Sequence, residues 1–474
     1  MEIVRGDPRV GDSNDAFSRY VSENLDRFIE ELFGLCRIPS VSAKRQRLDE
    51  AAEFVATRME ATGIRIRMFR EAHSAPILVG YVGSGSVSIL VYSHYDVQPA
   101  EPLEAWNTDP FVPERQGDRL LGRGLADNKG QLMAWIQAIE SWGRAVGGVP
   151  VRVILLCEGE EEVGSPHLAE FVNNHPGELN ADLVIWEGGG LDFSGRPIAT
   201  LGQKGMVAFE LHVKASKQDE HSMWGALVPN SLWRIVWALS TLKDPDEHVN
   251  IEGIRENIVS PTEAEMDLLN RIPFEFKRLG SRFGIDSFPG GVSEQEALAR
   301  HLFAPICNIT AIWGGYTGPG AKSALPSEAF ARIEIRLVPA LTPHFVANLL
   351  RAHLDRRGFH DIELATIKAN PPFRSPLDHP LISLALKAGK EAYGEPIVVY
   401  PNTPGSGPMY HVCGRLGIPG ISIGGMNHVD ANIHGPNENI CVGDYVRGIE
   451  FIKSLLADLG ARPDQRDSGA TVAF

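Results

Sequence analysis

The chain has 474 residues, of which 43% are hydrophobic, and it carries a formal net charge of -15 with a pI near 5.5. A chain of this length usually forms more than one domain, so we expect two. The acidic balance argues against nucleic acid or an anionic membrane surface as a partner, because both require clustered Lys and Arg. We therefore expect a small solute as the partner.

The cysteines are few, scattered and odd in number, with no Cys-x-x-Cys pair: Cys36, Cys157, Cys307, Cys413 and Cys441. This usage argues against a disulfide framework and favours a reducing cytoplasm. Residues 1–15 contain no apolar core, and no run of about 20 apolar residues occurs anywhere. We expect neither secretion nor membrane spanning, and we expect the first fifteen residues to be loosely held.

The first half of the chain alternates predicted helices and strands. Apolar residues at helical spacing over 25–35 predict a helix that ends at Ile38-Pro39-Ser40. Short apolar runs at 87–92, 151–157 and 183–186 predict buried strands, and a helical segment at 132–142 separates the first two. This alternation predicts an α/β fold with a mostly parallel twisted sheet and helices on both faces. Ligands of such sheets bind at the carboxyl ends of the strands.

A second pattern begins near residue 205. Residues 206–214 and 329–338 alternate as half-buried strands do, and helical segments at 231–242 and 343–356 accompany them. The chain breaks at Asn370-Pro371-Pro372, and the segment after it carries the candidate ligand His434. We therefore predict a catalytic domain formed by residues 1–204 and 379–474, with a smaller α+β domain inserted at 205–378.

Five short segments carry the residues expected to do chemistry: 93–97 (SHYDV), 122–130 (GRGLADNKG), 158–165 (EGEEEVGS), 186–189 (WEGG) and 433–438 (IHGPNE). A site with two histidines and several carboxylates suits zinc, with manganese or cobalt as substitutes. In a strand, His94 and Asp96 point to the same face, so that Asp96 can orient His94. Asp127 lies in a glycine-rich turn and could bridge two metals, and one of the adjacent Glu161 and Glu162 could bind metal while the other acts as a base.

Taken singly, each segment also has an ordinary structural interpretation, as a strand end, a solvated acidic face or a capped turn. The glycine-rich turn lacks the Lys-Ser/Thr ending of a phosphate-binding loop and the spacing of a dinucleotide fold. The sequence also lacks a Gly-x-Ser-x-Gly elbow, which disfavours a serine nucleophile. The five segments together, three of them at predicted strand ends, indicate a metal site.

In this combination the segments resemble the di-zinc metallopeptidase family that contains carnosinase-like dipeptidases, glutamate carboxypeptidase, succinyl-diaminopimelate desuccinylase and aminoacylase. The carnosinase-like dipeptidase branch is the most similar. The resemblance implies hydrolysis of the amide bond of dipeptides or short peptides by a metal-bridging hydroxide. Glu161 would be the general base and Asp96 the partner of His94. It implies two divalent cations, one held by His94, Asp127 and Glu187 and the other by Asp127, Glu162 and His434.

The inserted domain resembles the family's lid and dimerisation domain. Residues 219–222 (DEHS) resemble the lid segment whose histidine reaches the active site of the partner subunit, so that His221 would stabilise the oxyanion in trans of a homodimer. Arg336 is similarly expected to bind the free carboxylate of the substrate, and Ser323 and Ser406 to contact the substrate.

Two departures from the family pattern keep alternatives open. Asn128 stands where many relatives carry Asp, and Glu187 stands where dipeptidases often carry Asp and carboxypeptidases or deacylases often carry Glu. The main alternative is therefore an N-acyl-amino-acid amidohydrolase or carboxypeptidase that uses the same site. A binding protein with an inactive site and a nucleotide-binding enzyme are the remaining alternatives.

Overall fold

The computed structural model describes residues 8–462, with side chains from residue 15 onward. Of the first fifteen residues, which were expected to be loosely held, residues 1–7 lie outside the described part and residues 8–14 are described without their side chains. The long first helix follows from its apolar spacing, because Phe17, Val21, Phe28 and Leu32 are all buried. The helices are α1 (Pro8–Cys36), α2 (Leu48–Ala61), α3 (Gly130–Ser141), α4 (Leu168–Asn174), α5 (Ser231–Leu239), α6 (Glu263–Leu269), α7 (Phe276–Phe283), α8 (Glu294–Phe303), α9 (Pro343–Arg356), α10 (Pro380–Tyr393) and α11 (Val442–Gly460).

The strands are mostly short, as expected for buried strands that end at polar or glycine residues. They are β1 (Arg65–Phe69), β2 (Ile77–Val82), β3 (Ser88–His94), β4 (Glu114–Gln116), β5 (Arg119–Leu121), β6 (Arg152–Glu158), β7 (Leu183–Trp186), β8 (Gly190–Leu191), β9 (Pro197–Thr200), β10 (Gly202–Gln203), β11 (Gly205–Lys214), β12 (Glu220–His221), β13 (Ile306–Gly314), β14 (Ala324–Leu325), β15 (Glu328–Leu337), β16 (Ile362–Asn370), β17 (Phe373–Arg374), β18 (Val398–Tyr400), β19 (Gly420–Ser422) and β20 (Asn439–Cys441).

The described residues divide into two compact units, the first formed by residues 8–201, 375–400 and 411–462 and the second by residues 202–374 and 401–410. The boundaries near 201 and 375 lie within a few residues of the predicted ones. Residues 401–410, which the prediction gave to the first unit, belong to the second. They do so because Thr403 N–H donates to the Gly202 carbonyl over 2.9 Å and Ser406 Oγ donates to the Gly205 carbonyl over 3.0 Å.

The first unit is built on a nine-stranded sheet with the order β1-β2-β6-β3-β7-β19-β9-β18, and β8 pairs with β9. Its centre is parallel, because β3 runs parallel to both β6 and β7, and β7 runs parallel to β19. Every residue of β3 and of β7 is buried, as in a sheet that is covered on both faces. The predicted α/β fold with a mostly parallel sheet is confirmed.

The second unit contains a four-stranded antiparallel sheet with the order β13-β15-β11-β16. Side chains of β15 alternate between buried and accessible, so that one face of the sheet is covered and the other is not. Its core is formed by the buried side of β11 and β15 together with apolar residues of α5 and α9, among them Ile235, Ala238, Val346 and Leu350. The second unit is therefore a separate α+β fold.

All five cysteines are free thiols. Among residues 8–462, no helix has the length and apolar character needed to cross a membrane.

Candidate metal centre

The candidate site lies at one edge of the parallel sheet, where three neighbouring strands end. β3 ends at His94 and β6 ends at Glu158, and these two residues are paired in register. The loops that continue β6 and β7 carry Glu161, Glu162 and Glu187. Because the carboxyl ends of parallel strands meet at one edge, side chains from distant parts of the sequence converge there.

The first group of possible metal ligands consists of His94, Asp127 and Glu187. His94 Nε2 lies 3.1 Å from Asp127 Oδ1 and 3.1 Å from Glu187 Oε2. His94 is 1% exposed, and Glu187 Oε2 is a buried carboxylate oxygen that faces His94 Nε2. Such an oxygen is costly to bury unless a ligand satisfies it.

The second group shares Asp127 and adds Glu162 and His434. His434 Nε2 lies 3.2 Å from Asp127 Oδ2 and 3.1 Å from Glu162 Oε2. Asp127 therefore turns one carboxylate oxygen toward each histidine, as a ligand that bridges two ions must. A tetrahedral ion with bonds of about 2.0–2.1 Å holds its ligand atoms roughly 3.3 Å apart, so the observed separations fit a divalent metal in each group.

Asp96 connects His94 of the first group to the loop that carries Glu161 and Glu162. His94 Nδ1 lies 3.1 Å from the Asp96 carbonyl oxygen and 3.3 Å from Asp96 Oδ1. The two carboxylate oxygens of Asp96 accept hydrogen bonds from the backbone N–H groups of Glu161 and Glu162 over 3.2 and 3.1 Å. One residue, through its carbonyl and its carboxylate, thus orients the imidazole of His94 and fixes the position of the Glu161-Glu162 pair. This is the arrangement expected of a group that orients metal ligands.

The two adjacent glutamates, Glu161 and Glu162, have different surroundings in the structure. Glu162 belongs to the second ligand group, and Gln98 Nε2 donates to its Oε2 over 2.9 Å. Glu161 belongs to neither group. Burial, and after it the negative charge of Glu187, raises the pKa of the Glu161 carboxyl well above its ordinary value. A carboxylate held near the ligands and easily protonated has the properties of a general base.

The ligand cluster concentrates opposite charges. Hydrogen bonds to Asp127 and then Glu162 raise the pKa of His434 to about 10. Burial would raise the pKa of Asp127, but hydrogen bonds from His434 and His94 outweigh it and lower that pKa. The carboxylates of the cluster therefore require a positive charge nearby. Protonated histidines supply this charge, and bound metal ions would supply it instead of the protons.

Asn128, which replaces an acid of the family pattern, has a defined role in the packing. Its Nδ2 donates to Gln131 Oε1 over 3.0 Å, and the same oxygen accepts from the backbone N–H of Gly188 over 2.8 Å. The residue after Asp127 is therefore connected through Gln131 to the residue after Glu187. The amide replaces the acid without removing a ligand.

The other predicted site residues lie in the second unit. His221 lies in a two-stranded sheet formed by β12 and β14, where it pairs with Ala324, and Ser323 directly precedes β14; both His221 and Ser323 are exposed. Arg336 on β15 donates from Nη1 to Ser406 Oγ over 2.9 Å, so these two residues meet as well. Glu334, whose Oε1 lies 2.7 Å from Arg336 Nε, was not among the residues predicted from the sequence. Residues two positions apart on a strand point to the same face, so the sequence spacing of Glu334 and Arg336 could have indicated that their side chains meet.

Comparison with known proteins agrees with this geometry. Residues 90–458 match the family described as Peptidase family M20/M25/M40. A crystal structure of an M20 family metallo-carboxypeptidase from Sulfolobus solfataricus is similar, with 32% identity, a TM-score of 0.85, and coverage of 91% of this chain and 99% of that one.

Two curated relatives are dipeptidases by name. The Cys-Gly metallodipeptidase of Schizosaccharomyces pombe is 26% identical over 95% of this chain and 99% of its own length. The Beta-Ala-His dipeptidase of Rattus norvegicus is 25% identical over 93% of this chain and 94% of its own length. The resemblance inferred from the five segments is confirmed. Because the family match covers most of the sequence, the chain belongs to Peptidase family M20/M25/M40.

Proposed function

We propose that this protein is a di-metal exopeptidase that hydrolyses dipeptides or short peptides with a free C-terminal carboxylate. The observation that carries the proposal is the position of Asp127, whose two oxygens face His94 and His434 at 3.1 and 3.2 Å. Membership of a metallopeptidase family and the dipeptidase names of two relatives support it.

The chain supplies the ligands and the base for amide hydrolysis. His94, Asp127 and Glu187 would hold one ion, and Asp127, Glu162 and His434 the other. Two divalent cations in these groups would supply Lewis acidity toward the substrate carbonyl and the attacking water. Glu161 accepts the proton of that water and returns it to the leaving nitrogen. Asp96 keeps His94 and Glu161 in place during this transfer.

We assign zinc as the metal, with manganese or cobalt as substitutes. Each group combines one imidazole nitrogen with two carboxylates. Three protein ligands leave a coordination position open for water or substrate, as in catalytic zinc sites, and imidazole nitrogen favours zinc over magnesium or calcium.

The substrate carboxylate is assigned to Arg336, supported by Ser406, with Ser323 as a further substrate contact. Arg336 presents a planar set of donors that can bind a carboxylate through two parallel hydrogen bonds. An N-acyl-amino-acid amidohydrolase or carboxypeptidase is the second candidate. It is favoured by Glu187 at the third ligand position and by similarity to the metallo-carboxypeptidase structure.

We further propose a cytoplasmic homodimer in which the first unit is catalytic and the second unit is the lid and dimerisation domain. Free cysteines support the compartment. The dimer is supported by apolar side chains that α5 exposes, with Trp233 55% and Trp237 54% accessible, and by Ile309 and Ile312 on the edge strand β13. A second copy would cover this surface.

In the homodimer His221 would stabilise the oxyanion at the partner's metal centre. Mixing inactive His221→Ala subunits with inactive Glu161→Gln subunits tests this. Restored turnover is expected, because one composite site then has both groups. No restoration after verified subunit exchange would show that His221 does not act in trans.

The substrate class is tested with a panel of dipeptides, N-acyl amino acids and N-succinyl compounds, using zinc-loaded and manganese-loaded protein. Fastest turnover of dipeptides is the expected result. Exclusive turnover of N-acyl amino acids would select the second candidate. Failure to hydrolyse any amide while metal is bound would contradict both candidates and favour the binding-protein alternative.

A further inference from the structure

A carboxylate outside both ligand groups holds together the loops that carry Asp127 and His434. Glu438 is fully buried. Its Oε1 accepts from the backbone N–H groups of Ala126 over 2.8 Å and Asp127 over 3.1 Å. Its Oε2 accepts from the backbone N–H of Gly124 over 3.0 Å and from Arg123 Nη1 over 2.7 Å. Four donors therefore converge on one side chain.

Arg123 extends the connection to the second loop. It is 2% exposed, and its Nη2 donates to the carbonyl of His434 over 3.3 Å and to the carbonyl of Pro99 over 3.2 Å. The backbone N–H of Gly122 donates to the Glu438 carbonyl over 3.0 Å. The Glu438-Arg123 pair thus contacts the backbone of Asp127 on one side and that of His434 on the other.

The turn that Glu438 binds has a backbone conformation at its centre that favours glycine. Gly124 has φ +86°, and a Cβ there would lie 2.7 Å from Val97 Cγ1. Because Gly124 has no Cβ, the backbone can adopt a conformation in which the N–H groups of residues 124, 126 and 127 point to one carboxylate. This conformation fixes the orientation of the Asp127 side chain. Burying an ion pair is costly unless hydrogen bonds compensate it. Both oxygens of Glu438 and both terminal nitrogens of Arg123 are bonded, whereas Arg123 Nε is buried without a hydrogen-bond partner among the described residues.

We propose that Glu438 is a positioning residue of the metal centre. Through Arg123 and the backbone of residues 124–127, it holds Asp127 and His434 at ligand distance from each other before ions bind. This inference rests on the proposed function, since it takes Asp127 and His434 to be ligands. It adds a role for a residue that belongs to neither ligand group.

Two substitutions test separately whether the negative charge and the side-chain length of Glu438 are needed. Glu438→Gln keeps the length of the side chain, but its amide NH₂ group would face N–H donors that now bind a carboxylate oxygen. Glu438→Asp keeps the negative charge but shortens the side chain by one methylene. We expect each to weaken metal binding by about 10–100-fold, the range found when groups that orient metal ligands are removed. The measurement is competition between the metal-free protein and a chelator for zinc.

Glu140→Gln is the matched control. Glu140 is also a buried acid of the first unit, and it pairs with Arg58 over 3.0 Å and accepts from Tyr20 over 2.9 Å. It contacts neither ligand group, so this variant should lose thermal stability and keep the wild-type affinity for zinc. If a Glu438 variant does not fold without metal, the Arg123→Lys variant is tested in its place. Lysine keeps a cation beside Glu438 but lacks the fork that reaches the His434 carbonyl.

The outcomes are distinct. Weaker zinc binding by folded Glu438 or Arg123 variants, with normal binding by Glu140→Gln, supports the inference. Wild-type affinity in the folded variants, with a lower unfolding temperature alone, would overturn it and leave Glu438 with a purely structural role. Absence of zinc binding by the wild type would instead contradict the proposed function itself.

Discussion

Replacement of Arg336 by Met tests the assignment of the substrate carboxylate. The Arg336 guanidinium has five N–H donors, of which Nη1 binds Ser406 and Nε faces Glu334. The remaining donors can bind a carboxylate from the substrate. Methionine preserves the aliphatic length of the side chain and removes all of these donors.

The size of the effect follows from the surroundings of Arg336. Removing one partner of a desolvated charge pair typically costs about 2–5 kcal/mol. The Arg336 side chain is 28% exposed, and Glu334 already compensates part of its charge. Both features reduce its attraction for a carboxylate, so we expect about 2–3 kcal/mol of lost transition-state binding. This corresponds to a decrease in kcat/KM of roughly 30- to 150-fold.

The assay compares a good dipeptide with its C-terminal amide. Arg332→Met is the control, because Arg332 lies four residues away on the same strand and pairs with Glu210 over 2.9 Å. Arg336→Met should lose activity on the acid and little on the amide, with unchanged metal content, and Arg332→Met should behave as wild type. Equal losses on acid and amide, or efficient amide cleavage by the wild type, would refute the carboxylate assignment.

Glu161→Gln should lower kcat by roughly 10²–10⁴-fold while elemental analysis shows unchanged metal; if it strips the metals and Glu162→Gln spares them, the two roles are exchanged. Burial, and then the charge of Arg336, lowers the pKa of Lys204 from 10.5 to about 7. Between these values the unfolded chain binds this proton and the folded chain does not. The wild type should therefore gain about 1 kcal/mol per pH unit over Lys204→Met in urea unfolding between pH 7 and 9. A difference independent of pH would contradict this.

The sequence predicted those features that depend on neighbours along the chain. His94, Asp96 and Glu187 follow apolar strands directly, so their convergence at one sheet edge could be inferred from strand polarity alone. Asp127 could be inferred from its glycine-rich turn and from family resemblance. The α/β fold, confirmed by the structure, followed from alternating strands and helices.

Features that depend on long-range contacts escaped prediction. Gln98 reaches Glu162 across 64 positions, and Glu438 reaches Asp127 across 311 positions. No local period connects such residues. The same holds for residues 401–410, whose hydrogen bonds to Gly202 and Gly205 place them in the second unit. The spacing of apolar residues indicates which positions are buried, but it does not indicate which buried polar groups form hydrogen bonds with each other.

Metal content is the most direct test of the central claim, which is that two ions share Asp127. Elemental analysis of zinc-loaded, desalted protein should give about two ions per chain, and chelator should abolish amide hydrolysis, which zinc should then restore. Asp127→Asn should lower the content of both ions together, whereas Glu187→Gln should lower mainly one. Protein that carries no metal and hydrolyses amides equally well with and without chelator would contradict the account.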